Sequence, residues 1–275
     1  MEVILAEYLG FCYGVKRAIK IARENAGAEN SCTLGPIIHN PQMVEKLRDE
    51  GVGTVDVVSD LPPGGTIIIR SHGVGPSVYD AARTRGLKLV DATCPHVAKA
   101  QTAAKTLAEE GRTVVIVGEK KHPEVQSIFE WSNKTAYIVE TCQEARTLPL
   151  TEHLGIVSQT TFSGDMFKKI VGVLLDKSRD VKILRTICTA TDQRQKAAVD
   201  LAAKVDLMIV IGGKNSANTT RLAQLCAEVC STRHIETAAE LNDEWFLNKS
   251  KIGITAGAST PDWIIKEVYE QCQKK

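Results

Sequence analysis

The chain has 275 residues, 43% hydrophobic and 24% charged, with 34 Lys and Arg against 33 Asp and Glu for a formal net charge of +1. That length allows one to three domains, and the near-neutral balance excludes the strongly basic footprint of a nucleic-acid-binding protein. No apolar run approaches the roughly 18 residues of a membrane span.

After Met1 the sequence opens in "EVILAEYLGF". It shows neither a basic n-region nor a transit-type Arg/Ser bias, which predicts a cytoplasmic protein. The first extended run, "EYLGFC", closes on Cys12 and gives way to a helical pattern with Val15, Ala18, Ile19 and Ala22 on one face. The next strand ends in the polar loop "LGPIIHNP" with His39, and "GTIIIRS" leads into "RSHG" with His72. A second run, "LKLVDATC", closes on Cys94, followed by a helical face of Val97, Ala100, Ala104 and Leu107. After it come "RTVVIVG", the loop "VGEKKHPE" with His122 and Glu124, and "SQTT" with Thr160. The third run, "VKILRTIC", closes on Cys188 ahead of Ala198, Leu201, Ala202 and Val205. "DLMIVIGG" then leads to "IGGKNSAN" with Ser216 and Asn218, and a last strand to "GAST" with Ser259.

The spacing repeats. His39 lies 27 residues after Cys12, while His122 and Ser216 lie 28 after Cys94 and Cys188. Alternating β-branched runs and amphipathic stretches predict an α/β fold of small parallel sheets covered by helices. The repetition predicts three pseudo-symmetric units, 14–93, 94–187, and 1–13 with 188–275. Ligands of such units gather at the carboxyl ends of the strands, so closure around an axis would converge these polar positions.

Eight cysteines in a chain of this size do not form the framework of a small secreted domain, and most are expected to be core thiols. Cys226 and Cys230, four apart on a predicted helix, are read so, and Cys32, Cys142 and Cys272 occupy no matched position. Cys12, Cys94 and Cys188 differ: each heads a helix, where free N–H groups and the macrodipole favour a thiolate. They are read as metal ligands. Thiolates suit zinc or an iron–sulfur cluster. A closed zinc site needs a fourth ligand, for which His96 is available, but zinc knuckles use tight Cys pairs rather than three separated ligands. A [4Fe–4S] cluster on three cysteines leaves one iron open to act as a Lewis acid while the cluster passes electrons.

His39, His72 and His122, with Ser216, Asn218 and Ser259, suit a phosphate or diphosphate. Glu124 beside such a site can hold a proton near neutral pH, or else is a solvated residue at a helix start. "GGKNSANTT" lacks Walker A spacing, and "GVGPSV" places Val78 where a dinucleotide fingerprint needs a small residue. A zinc-binding regulatory or structural protein on the same three cysteines, and a phosphate-binding module without redox chemistry, stand as alternatives.

Taken together, "GFCYGVKRAI", "GPIIHN", "RSHG", "DATCP", "HPEV", "SQTT", "NSAN" and "TAGAST" resemble, in order, the LytB family of 4-hydroxy-3-methylbut-2-enyl diphosphate reductases. The resemblance implies a trefoil of three α/β units around an oxygen-sensitive [4Fe–4S] cluster. It implies the last step of the non-mevalonate isoprenoid pathway, giving isopentenyl and dimethylallyl diphosphate, with electrons from a ferredoxin or flavodoxin. By the same resemblance Cys12, Cys94 and Cys188 hold the cluster. His39, His72, His122, Thr160, Ser216, Asn218 and Ser259 bind substrate, and the catalytic residues are Glu124, Thr160 and His122, with Glu124, assisted by Thr160, delivering a proton. Ala217 stands where some members have a second serine. Lys16, Arg17, Lys20 and Arg23 are a candidate docking face for the donor, or a solvated helix surface.

Overall fold

A computed structural model describes residues 1–275. The chain runs β1 (Glu2–Leu5), α1 (Tyr13–Glu24), β2 (Cys32–Leu34), α2 (Pro41–Asp49), β3 (Gly53–Val55), β4 (Thr66–Ile69), α3 (Pro76–Thr84) and β5 (Lys88–Asp91). It continues as α4 (Pro95–Glu109), β6 (Thr113–Val117), α5 (Pro123–Trp131), β7 (Tyr137–Val139), α6 (Cys142–Thr147), β8 (His153–Ser158), α7 (Gly164–Leu174) and β9 (Asp180–Ile183). The last elements are α8 (Thr189–Ala202), β10 (Leu207–Ile211), α9 (Ala217–Ala227), β11 (Ser231–Ile235), β12 (Lys251–Ala256) and α10 (Asp262–Cys272).

The strands form three four-stranded sheets in the orders β3-β2-β4-β5, β7-β6-β8-β9 and β11-β10-β12-β1, parallel throughout. These orders are one pattern used three times, with β1 filling in the third sheet the edge place of β5 and β9. The α/β class read from the sequence is therefore the observed one.

Two compact units divide the backbone: Met1–Lys16 with Ile38–Glu45 and Thr189–Lys275, and Arg17–Ile37 with Lys46–Cys188. In the first unit, successive residues of the central strands face opposite sides of the sheet. Leu207, Ile209, Ile211, Ile252, Ile254 and Ala256 pack toward α10 through Ile264, Ile265 and Val268. Met208 and Val210 pack on the other face toward Ala198, Leu201, Leu222 and Cys226 of α8 and α9. The second unit repeats this around β6 and β8. Val115, Val117, Leu154 and Ile156 meet Phe167, Ile170 and Leu174 of α7, while Val114, Ile116 and Val157 meet Ala100, Ala104, Leu107, Val125 and Ile128 of α4 and α5. Parallel sheets covered on both faces need such unbroken apolar runs, which is why "TVVIV" and "LMIVI" lack a polar alternate.

Predicted boundaries shift at three places. The cysteines do not end strands: Cys12, Cys94 and Cys188 lie seven, three and five residues beyond Leu5, Asp91 and Ile183. Val205 lies past the end of α8, although it packs on the core that Ala198, Leu201 and Ala202 enter. Cys230 likewise lies beyond α9, so only Cys226 of that pair is helical; Cys226 is fully buried and Cys230 packs half-buried beside the same core. Glu228 closes α9, its amide bonding back to Gln224 and Cys226, and the chain leaves before a further turn.

Candidate active site

From a central strand (β2, β6 or β10) each sheet adds the next strand to one side and the one after to the other, so its order reverses between the two central strands. Loops leaving the carboxyl ends at such a switch point diverge and open a crevice. Every predicted polar site residue lies on one of these loops or, for Glu124 and Asn218, in the first turn of the helix that follows it. His39 follows β2 and His72 follows β4; His122 and Glu124 follow β6, and Thr160 follows β8. Ser216 and Asn218 follow β10, and Ser259 follows β12. The cysteines follow the edge strands β1, β5 and β9, each immediately ahead of α1, α4 or α8. Their amides are tied alike, Cys12 to Ala258 O at 3.2 Å, Cys94 to Ser71 O at 2.9 Å and Cys188 to Thr160 O at 3.0 Å. Each cysteine is thus fixed to the loop bearing Ser259, His72 or Thr160 of its own sheet.

In the second unit the acid–base groups are in contact. Glu124, 2% exposed, accepts the Thr160 amide on Oε1 at 2.5 Å and the Thr160 hydroxyl on Oε2 at 2.9 Å. The reading of Glu124 as a solvated residue at a helix start is thereby overturned. Burial pushes its carboxyl up to about 7, against the pull of the two Thr160 bonds, and the charge of Glu119 adds to the rise. His122 caps α5, its Nδ1 accepting the Glu124 amide at 3.2 Å, and its ring meets that of His72 edge-on with centroids 5.5 Å apart. Ser127 ties the two together from beneath, donating to Glu124 O at 2.8 Å and His72 O at 3.2 Å.

This burial has a measurable consequence. The native protein keeps the Glu124 proton up to about pH 7, whereas the unfolded chain releases it near the ordinary value of 4.5. Its contribution to stability is therefore complete below pH 4.5 and is lost as pH rises through about 7. The advantage of Glu124→Gln over wild type in urea-denaturation free energy grows by up to about 3 kcal/mol from acid to alkaline pH. A difference independent of pH contradicts it.

In the first unit Ser216 caps α9 by accepting the Thr219 amide at 3.4 Å, and Ser259 Oγ donates to His39 O at 3.1 Å. Asn218 is 7% exposed, and neither its Nδ2 nor its Oδ1 has a protein partner. A buried amide with both ends open is costly unless a ligand or water completes it. Space for this loop is made by glycine: a Cβ on Gly257 would overlap Thr219 Oγ1 and lie 3.0 Å from Thr219 Cβ. Gly257→Ala should lower the denaturation midpoint by the equivalent of about 1–3 kcal/mol, with partial recovery in the Gly257→Ala/Thr219→Ala pair. Equal losses in the single and double variants contradict this account.

Asn40 was missed. It lies 28 residues after Cys12, and its Oδ1 accepts the Met43 amide at 2.8 Å, capping α2 as His122 and Ser216 cap α5 and α9. The 27-residue interval to His39 thus marks the residue ahead of the cap, and an equal count of 28 would have found it. Gln159 was missed as well: fully buried, it accepts the Glu119 amide and donates to Thr161, bracing the segment that carries Thr160.

A family model described as LytB protein matches residues 3–273. A relative from Citrifermentans bemidjiense, named 4-hydroxy-3-methylbut-2-enyl diphosphate reductase, is 48% identical over 274 residues, covering 98% of this chain and 96% of its own. A solved structure described as (E)-4-hydroxy-3-methyl-but-2-enyl diphosphate reductase, the terminal enzyme of the non-mevalonate pathway, is 46% identical with a TM-score of 0.73 and full coverage of both chains at 100%. The Plasmodium falciparum E-1-hydroxy-2-methyl-but-2-enyl-4-diphosphate reductase structure is 30% identical with a TM-score of 0.93, covering 99% of this chain and 87% of that one.

Proposed function

The chain belongs to the LytB protein family, and on that premise we propose that it reductively removes the hydroxyl of 4-hydroxy-3-methylbut-2-enyl diphosphate. The products are isopentenyl and dimethylallyl diphosphate. The reaction consumes two electrons and two protons and releases water. The observation that carries the reading is the buried Glu124–Thr160 pair, an acid that holds its proton at about neutral pH.

Cys12, Cys94 and Cys188 would hold a [4Fe–4S] cluster. Their chemistry fits: none is in a disulfide, all are partly accessible, and each heads a helix with its amide tied to a neighbouring loop. When bound, the cluster supplies electrons and an iron without a protein ligand that serves as a Lewis acid. Glu124 passes its proton to the leaving hydroxyl, while the Thr160 amide and hydroxyl hold the carboxyl in place and stabilise the carboxylate left behind. His39, His72, His122, Ser216, Asn218 and Ser259 hold the diphosphate, the open amide of Asn218 supplying donor and acceptor. The second proton, added at either end of the three-carbon unit, selects the product.

The same reading includes a ferredoxin or flavodoxin as electron donor, a cytoplasmic location, and unit boundaries at 14–93, 94–187, and 1–13 with 188–275. No helix is long and apolar enough to cross a membrane. Of the four basic residues on α1, Arg23 bonds Glu50 at 2.7 Å, Arg17 donates to Thr93 O at 3.0 Å and Lys20 lies 3.7 Å from Glu24. Lys16 and the still largely exposed Lys20 are thus the more accessible charges for docking. Anaerobic purification with iron and sulfide analysis, followed by turnover with a chemical one-electron reductant, tests the reading. About four irons and four sulfides per chain with diphosphate-dependent turnover are expected. One tightly bound zinc and no turnover would establish the zinc alternative.

A further inference from the structure

The turns before Cys94 and Cys188 are each secured by a polar side chain of their own segment. Ahead of Cys94, Asp91 Oδ1 accepts the Thr93 amide at 2.8 Å. Ahead of Cys188, Thr186 accepts the Ser158 amide on its Oγ1 at 2.8 Å and donates its own amide to Ser158 Oγ at 3.2 Å. The matching stretch before Cys12, Tyr8 to Phe11, contains no Ser, Thr, Asp or Asn. It turns on Gly10 at φ +71°, a left-handed conformation that glycine adopts without strain but also leaves readily. Its bonds to the end of β12 and the loop after it are the longer ones, Gly10 N to Ala256 O at 3.4 Å and Cys12 N to Ala258 O at 3.2 Å.

A restraint is nevertheless present, and it comes from α8. Arg194 is 6% exposed. Its Nη2 donates to Gly10 O at 2.7 Å and its Nη1 to Ala190 O at 3.1 Å, one turn back on its own helix. The planar guanidinium can grip both carbonyls at once, and a charged donor makes the stronger bond. We propose that Arg194 is the positioning residue of the Cys12 turn, supplying from α8 the restraint that Asp91 and Thr186 supply locally to the other two cysteines. It fixes the direction in which Cys12 is presented. The functional weight of this role rests on Cys12 being a cluster ligand, but the restraint itself does not.

Hydrogen exchange of the full-length chain, resolved by peptide and compared for wild type, Arg194→Met and Arg194→Lys, tests it. In Arg194→Met the Gly10–Cys12 amides should exchange roughly tenfold faster, with the amides of the Cys94 and Cys188 turns unchanged. Arg194→Lys should fall between, since one ammonium reaches a carbonyl but cannot grip both in a plane. An unchanged Gly10–Cys12 rate in Arg194→Met, or three turns accelerating together, overturns the assignment. Iron analysis of the wild type decides the cluster reading separately, because the exchange comparison stands with or without bound iron.

Discussion

Glu124→Gln lowers turnover by about 10²- to 10⁴-fold, the range that a positioned general acid contributes, while iron content stays at the wild-type level. Gln keeps the shape and an acceptor for the Thr160 amide but has no proton to give. Substrate affinity should change far less than turnover, because the diphosphate-binding groups proposed on the other loops are untouched. The pH profile is the sharper readout. With the carboxyl at about 7, wild-type turnover limited by that proton falls as pH rises past that value, and the residual Gln activity lacks the step. Thr160→Val separates the acid from its holder. It removes the hydroxyl bond at 2.9 Å but leaves the amide bond at 2.5 Å. The carboxyl loses a group that favours its charged form, so its titration moves upward and the alkaline limb of the profile moves with it. Normal turnover in Glu124→Gln, or a profile that ignores Thr160, removes the acid role.

Much of this arrangement is legible in the chain because one α/β unit is written three times. A single Cys ahead of a helix is ordinary, but Cys12, Cys94 and Cys188 share a following loop at nearly constant distance, and repetition turns weak local signals into one pattern. What the spacing cannot carry is anything made by burial or by partners far apart in the chain. Glu124 reads equally well as a solvated helix-start residue; only α5 folding against β6 and β8 takes it out of water. Arg194 sits on α8 among Asp192, Gln195 and Lys196, with nothing local to set it apart, and its partner Gly10 is 184 residues away. Element ends were also displaced. Extended sequence runs up to each cysteine, yet β1, β5 and β9 stop earlier, because edge strands have a neighbour on one side only and the chain leaves to reach the helix cap.

The threefold pattern also dictates how single cysteine substitutions should rank. Cys12→Ser, Cys94→Ser and Cys188→Ser should each reduce iron retention and turnover by more than roughly 100-fold, since losing a ligand atom exceeds the 10–100-fold cost of losing a residue behind one. The three should be alike, because each cysteine occupies the same place: the residue before a helix, amide tied to the adjoining loop. Serine conserves those backbone bonds, so a common loss reports the sulfur rather than the fold. Cys226→Ser and Cys272→Ser supply the contrast. Both thiols are fully buried in apolar cores and pushed up, to about 12 and about 11, by desolvation. A hydroxyl there costs stability, on the order of 1–3 kcal/mol for an unsatisfied buried polar group, and leaves iron per folded chain unchanged. Thermal denaturation and iron analysis on all five variants give the test. If Cys226→Ser strips the iron as Cys188→Ser does, the division of the cysteines into ligands and core thiols fails. If one of the Cys12, Cys94 and Cys188 variants keeps its iron, the proposed equivalence of the three cysteines as cluster ligands fails instead.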